Sequence, residues 1–195
     1  MSAVAPTAEL DRLAAALAVR PPVLADAEPT VRRAATALIL RHGAGGLELL
    51  LIQRAVFEGD PWSGQVALPG GRADAADASL VHTAMRETRE ETGLDLAAGG
   101  RLLGQLDELH PRTPVLPPIV VRPHVFALER DQPILTSREV AEAFWVPLAV
   151  LRDPATTQES RIRVRDAWWR VPSFVVQERV VWGMTERMLR QLLGL

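Results

Sequence analysis

The chain predicts an α/β (α+β) sandwich. Strand-like and helix-like segments are interleaved along its whole length, which is the pattern of layered folds. About half of the 195 residues, 48%, are hydrophobic, enough to fill one core. We find no internal repeat and no low-complexity tract, so a single compact unit is expected from position 31 onward.

Residues 7–19 read as an amphipathic helix capped by Thr7, with Leu10, Leu13 and Leu17 on one face, ended by Pro21-Pro22. Residues 23–30 read as a linker, which sets the domain scheme as 1–30 followed by 31–195. Val31–His42 and Leu47–Arg54 read as a hairpin about the turn His42-Gly43-Ala44-Gly45-Gly46. Residues 55–64 hold the breakers Gly59, Asp60, Pro61 and Gly64, and Gln65–Leu68 is a short strand entering Pro69-Gly70-Gly71. A helix is expected over Ala78–Thr92, stopped by Gly93 as a left-handed cap. Strands are expected at Leu102–Leu109 and Ile119–Leu128, separated by a loop with Pro111, Pro114, Pro117 and Pro118. A short helix over Ser137–Phe144 would carry Glu139 and Glu142. Residues 161–176 read as two strands around Asp166-Ala167, and Trp182–Leu193 closes the chain as an amphipathic helix.

Composition removes several function classes. With no cysteine there is neither a disulfide nor a thiolate metal site. A net charge of −2 argues against a general nucleic-acid binder. No apolar run approaches the roughly 18 residues of a membrane span, and no signal-peptide pattern is visible, so a cytoplasmic protein is expected. His42, His82, His110 and His124 lack metal-ligand spacing and read as structural or exposed. Trp62, Trp145, Trp168, Trp169 and Trp182 read as core or interface residues; in a strand Trp168 and Trp169 point to opposite faces, so one would be exposed. The glycines at 43–46 match neither the dinucleotide nor the P-loop spacing, and no Gly-x-Ser-x-Gly element is present.

The chemistry concentrates in Leu68-Pro69-Gly70-Gly71-Arg72 and Arg86-Glu87-Thr88-Arg89-Glu90-Glu91-Thr92-Gly93-Leu94. Glu87, Glu90 and Glu91 are neighbours on one helix face, where three like charges repel unless a cation joins them. Carboxylates are hard ligands suited to Mg²⁺ or Mn²⁺, and such an ion takes further ligands from substrate phosphates. Gly70 and Gly71 let the backbone approach an ion or phosphate closely. Arg86 stands four residues before Glu90 and can orient it. Taken alone, the charged helix reads equally well as a solvated face with salt bridges; the glycine turn ahead of it decides otherwise.

This pattern resembles the Nudix box, Gly-x5-Glu-x7-Arg-Glu-(apolar)-x-Glu-Glu-x-Gly-(apolar), at Gly71, Arg86, Glu87, Glu90, Glu91, Gly93 and Leu94. The spacing from Gly71 to Arg86 is one residue longer, Ala78 stands at the register of the first Glu with Asp77 beside it, and Thr88 replaces an aliphatic residue. The long spacing, with Asp74 and Asp77 in the linker, is similar to the coenzyme A pyrophosphatase branch. So are Leu50–Arg54, Gly64-Gln65 and Val181-Trp182-Gly183-Met184-Thr185, although Trp62 replaces a His and Leu68 a Phe of that branch.

The resemblance implies an α/β/α sandwich with a mixed central sheet. It implies Mg²⁺-dependent (or Mn²⁺-dependent) hydrolysis of coenzyme A to 3′,5′-ADP and 4′-phosphopantetheine, by a homodimer; charge and hydropathy add that neither nucleic acid nor membrane is expected as a partner. Glu90 and Glu91 would be metal ligands, with the Gly70 carbonyl as a third and Glu87 as ligand or water-orienting group. Glu139 is the first candidate for an assisting carboxylate from outside the helix, followed by Glu142 and Glu108. Arg54, Gln65 and Arg72 would contact substrate phosphates beside Gly70 and Gly71, whereas Arg112 reads as a loop residue. The alternatives are the same chemistry on ADP-ribose, dinucleoside polyphosphates or nucleoside triphosphates, favoured by Pro111 beyond Leu94, or a nucleotide-binding module without catalysis.

Overall fold

The computed structural model describes residues 6–58, 62–111, 118–164 and 167–195. In chain order the elements are α1 (Pro6–Val19), β1 (Arg32–Gly43), β2 (Gly46–Arg54), β3 (Val66–Ala67), β4 (Gly70–Arg72), α2 (Leu80–Thr92) and α3 (Leu96–Gly99). There follow β5 (Gly100–Gln105), β6 (Ile119–Leu128), β7 (Val140–Pro147), α4 (Leu148–Arg152), β8 (Thr157–Val164), β9 (Ala167–Val176), β10 (Arg179–Trp182) and α5 (Gly183–Leu193).

A seven-stranded mixed sheet runs β3-β2-β1-β6-β5, with β4 added to β1 and β7 to β2; β8, β9 and β10 form a second, antiparallel sheet. The parallel pair is β1 and β6, in register from Arg32 opposite Ile119 to Leu40 opposite Ala127. Parallel strands are normally covered on both faces, and their apolar residues then run continuously. Here Leu38, Leu40, Leu49 and Leu51 face Leu10 and Leu17 of α1 and Leu189 and Leu192 of α5. Ala35, Ala37, Ile39, Leu50 and Phe126 face Ala84 of α2 and Leu94. Each fully buried leucine of this sheet contributes about 1.5–3 kcal/mol.

The small side chains Ala35 and Ala37 let α2 lie close on β1. The helix presents Thr83, Ala84, Thr88 and Thr92 to the sheet, all fully buried. Thr88, which stands where an aliphatic residue was expected, donates its hydroxyl to the Ala84 carbonyl at 2.7 Å, so its burial leaves no polar group unpaired. The helix α2 starts at Leu80, two residues later than the expected Ala78, with Ser79 capping it by accepting the His82 N–H, and Gly93 ends it at φ 74°, the left-handed cap that the sequence predicts.

Three expectations need correction, and four short elements were not foreseen. The segment 137–144 is not a helix. Glu139 lies in a turn, and Val140–Pro147 is the strand β7, paired antiparallel with β2 from Glu48 opposite Pro147. Val140, Phe144 and Val146 are buried, and satisfying the open edge of β2 outweighs local helix preference. The strand expected at 102–109 ends at Gln105, after which only Leu109 bridges to Val121. The elements β4, α3, α4 and β10 escape the sequence reading because each is five residues or shorter. Finally, Trp168 and Trp169 are both exposed, since they stand on the outer half of the β8–β9 ribbon. Asp60, Pro61, Arg112, Pro114, Pro117 and Asp166 lie outside the described residues.

Residues 6–25 pack on the rest of the chain. Arg101 reaches Asp11 at 2.9 Å, Arg20 reaches Asp107 at 2.6 Å, and the Ala25 N–H donates to Glu108 at 2.9 Å. Among the described residues no helix is long and apolar enough to cross a membrane.

Candidate active site

The site is assembled where β4 meets α2. Gly70 pairs with Thr36 of β1 at φ 152°, a conformation that side chains rarely adopt. A Cβ there would collide with the Ala35 carbonyl and the Thr36 Cα. Its N–H donates to Glu91 Oε2 at 2.9 Å. At Gly71 a Cβ would occupy the space held by the Glu87 carboxylate. The two glycines therefore make room for the acids rather than simply for a turn.

Arg86 is the hub beneath them. Its Nε and Nη2 grip Asp77 at 2.9 and 3.0 Å, and Nη2 also donates to the Arg72 carbonyl at 3.0 Å. Its Nη1 reaches Glu87 at 2.8 Å and Glu90 at 3.2 Å. Thr83 Oγ1 and the Asp74 N–H complete the Asp77 shell at 2.8 and 2.9 Å. The Arg86 hydrogen bonds hold the Asp77 carboxyl well below the usual carboxylate range, and that bond pushes Arg86 upward in turn. Asp77, displaced by the lengthened linker, thus provides the two-pronged partner of Arg86 (the register position itself is Ala78). The sequence signal for this was present, in an acid beside an empty register position, but its role was not readable.

The acids are treated unequally. Glu91 is buried, and burial, with the Glu87 and Glu139 charges adding, pushes its carboxyl up to about 7 against the opposing Gly70 N–H and Arg54. Burial likewise raises Glu87. Glu90 is the outermost, with 58% of its side chain exposed. Among the described residues no three His, Cys, Asp or Glu side chains already stand around one point. Mutual repulsion accounts for this: Glu87 and Glu90 lean on Arg86, and Glu91 on Gly70.

Glu139 is brought in by the main chain. The Leu135 and Ser137 N–H groups donate to Thr92 O and Glu91 O at 2.8 and 3.0 Å, and the Ala55 N–H donates to Glu139 O at 2.9 Å. Glu139 thereby shares a cleft of about 350 Å³ with Arg54, Phe57 and Arg138. The sequence reading missed Phe57 and Arg138; only Arg138's adjacency to Glu139 hinted at it. Gln65 is half-buried, and its carbonyl accepts the Arg54 N–H at 2.9 Å; Arg72 is exposed. The other acid candidates are engaged elsewhere. Glu142 pairs with Arg179 at 2.6 Å, and Glu108 is held by Arg122 at 2.6 Å and Arg33 at 3.3 Å.

The NUDIX domain family matches residues 30–167. The chain belongs to the Nudix hydrolase family. A Schizosaccharomyces pombe protein, "Uncharacterized protein C14C4.10c", is 38% identical over 120 residues, covering 60% of this chain but 36% of its own length. The "Uncharacterized Nudix hydrolase NudL" of Salmonella paratyphi B is 35% identical over 156 residues, covering 74% of this chain and 72% of its own. NudL of Photorhabdus laumondii is 32% identical over 132 residues, covering 67% of each. Among solved structures, a MutT/nudix family protein from Enterococcus faecalis aligns with a TM-score of 0.54 at 16% identity, over 97% of this chain and 74% of its own. A C. elegans Ap4A hydrolase complex aligns at 0.52 and 23% identity, over 61% of this chain and 82% of its own. These likenesses establish the fold. Family membership supports a pyrophosphohydrolase acting on nucleoside diphosphate-linked substrates, and Nudix enzymes use divalent metal ions.

Proposed function

We propose that residues 31–195 form a Nudix pyrophosphohydrolase domain whose substrate is coenzyme A or an acyl-coenzyme A, cleaved to 3′,5′-ADP and 4′-phosphopantetheine. The observation that carries the hydrolytic reading is the buried Glu91, fixed by Gly70 and flanked by Glu87 and Glu139. A carboxylate with its charge opposed by burial and by two further acids is a site that a divalent cation would relieve. The donor set is all oxygen and includes no thiolate, which fits Mg²⁺ or Mn²⁺.

Glu87, Glu90 and Glu91 would hold the ion, with the Gly70 carbonyl beside them. The bound ion would neutralise diphosphate charge and lower the pKa of the attacking water. In the chain's own steps, Arg54 binds the scissile diphosphate, and Gln65 and Arg72 contact the substrate. Glu139 accepts a proton as water adds to one phosphorus, and the bridging P–O bond breaks with its electron pair leaving on the other phosphate. Arg86 is a positioning residue: it fixes Glu87 and Glu90 through Asp77 and the Arg72 carbonyl. The coenzyme A assignment is supported by the lengthened linker, whose Asp77 is used structurally, and by the segments around Arg54 and Gln65.

The test incubates the purified chain and Mg²⁺ with coenzyme A, ADP-ribose, diadenosine polyphosphates and deoxynucleoside triphosphates, with product analysis. Release of 3′,5′-ADP is expected. Preferential turnover of another nucleotide replaces the substrate, and binding without turnover of any member points to a non-catalytic module.

A further inference from the structure

The two arginines of the cleft are not equivalent. Arg54 is half-buried, and its charge acts on Glu91, so it sits against the reacting centre. Arg138 is exposed at the rim and has no hydrogen bond or ion pair among the described residues. Its main chain is nevertheless anchored. Ser137 hangs on the Glu91 carbonyl at 3.0 Å, and the Glu139 carbonyl is held by Ala55 at 2.9 Å. An aromatic wall faces the same space: Phe57 is 44% exposed. Its backbone is pinned by a single hydroxyl, Ser63 Oγ, which accepts the Phe57 N–H at 2.9 Å and donates to the Phe57 carbonyl at 2.8 Å. The cleft thus joins a flat apolar surface, one cation committed to the centre and a second cation with no partner among the described residues.

We infer that Arg138 is a specificity residue. It binds a phosphomonoester on the ribose of the substrate, remote from the diphosphate that Arg54 holds, while the base lies against Phe57. A guanidinium's planar fork matches the oxygens of a terminal phosphate, and with no ion pair among the described residues the Arg138 donors are available to one. The inference rests on the proposed nucleoside diphosphate chemistry and narrows it to nucleotides carrying a ribose phosphate.

Binding decides the matter without turnover. Calorimetry of 3′,5′-ADP and of AMP is compared for the full chain and for Arg138→Gln and Arg138→Lys. The wild-type chain is expected to prefer 3′,5′-ADP. Arg138→Gln should weaken 3′,5′-ADP by roughly ten- to a hundredfold and AMP less than about twofold, with Arg138→Lys intermediate. In steady-state kinetics the KM for coenzyme A should rise by the same factor, with kcat and the constants for 3′-dephospho-coenzyme A unchanged. Equal weakening of both ligands, no weakening, or no wild-type preference overturns the assignment of Arg138. Failure of the wild-type chain to hydrolyse coenzyme A, with selective loss of 3′,5′-ADP binding in Arg138→Gln, overturns the coenzyme A substrate and leaves Arg138 standing. Hydrolysis of coenzyme A with unaltered selectivity in the variant does the reverse.

Discussion

Glu91 and Glu108 are both buried glutamates, and the chain treats them oppositely. Glu108, with 1% of its side chain exposed, is surrounded by compensation. Burial pushes its carboxyl up, but the Ala25 N–H, Arg122 and Arg33 overcome that and hold it below the usual range. Glu91 receives one N–H and the charge of Arg54, against burial and two acids, so it stands near 7. Glu108 stitches Val23 and Ala25 to the sheet. Glu91 is left in deficit where β4 and α2 meet. A buried acid that the protein has neutralised is architecture, and one that it leaves under strain is a place for a ligand.

The comparison can be broken in order of size. Glu91→Gln should lower kcat by at least about 10³-fold, a typical loss when a group stabilising developing charge is removed, with Tm unchanged or higher. Near-normal turnover in that variant removes Glu91 from the metal site. Glu108→Ala should do the opposite. It should cost about 3 kcal/mol, the low end for a broken buried pair because both arginines reach solvent, while kcat of the folded fraction stays near wild type. Thermal melts and single-turnover assays separate the two.

Next comes pH. In metal-free protein the folded pKa of Glu91, about 7, exceeds its ordinary 4.5, so the folded state holds the extra proton between these values. Its contribution to stability is therefore lost as pH rises through that window, by about 3 kcal/mol in all. Glu108, with its folded pKa lowered, contributes stability above about 4.5 that is lost as pH falls. Melts of metal-stripped protein with and without added Mg²⁺ should show stabilisation by the ion growing from pH 5 to pH 8, and Glu91→Gln should flatten that trend. Gly71→Ala, whose methyl would displace the Glu87 carboxylate, should reduce kcat by about tenfold to a hundredfold with a smaller loss of stability. Smallest of all, Glu142→Gln should leave kcat within about twofold, because Glu142 is half-exposed and serves Arg179.

Much of the centre was legible because its groups are local in sequence. The helix spacing alone places Glu87, Glu90 and Glu91 on one face, and Gly93 and Ser79 end that helix as their chemistry requires. Glu139 was expected on a helix and stands instead in a turn, from which its charge acts on Glu91. Its position comes from β7 pairing with β2 and from two hydrogen bonds to the end of α2, none of which is encoded within the segment itself. Arg138 and Phe57 were invisible for the same reason. Short elements such as β4 and β10 carry too few residues to show a period, and they exist because a longer neighbour offers a pairing edge.

By itself the sequence determined the family, the alternation of strands and helices, and the identity of the acids, because these follow from spacing along a helix and from residue chemistry. The tertiary structure alone decided which acid is buried, which is held by Arg86, and which cations face the same cleft. Those are questions of burial and long-range distance: Gly70 and Glu91 are 21 positions apart in the chain, yet the Gly70 N–H donates to the Glu91 carboxylate at 2.9 Å. A carboxylate's energy is set by what surrounds it, and only the folded chain supplies the surroundings.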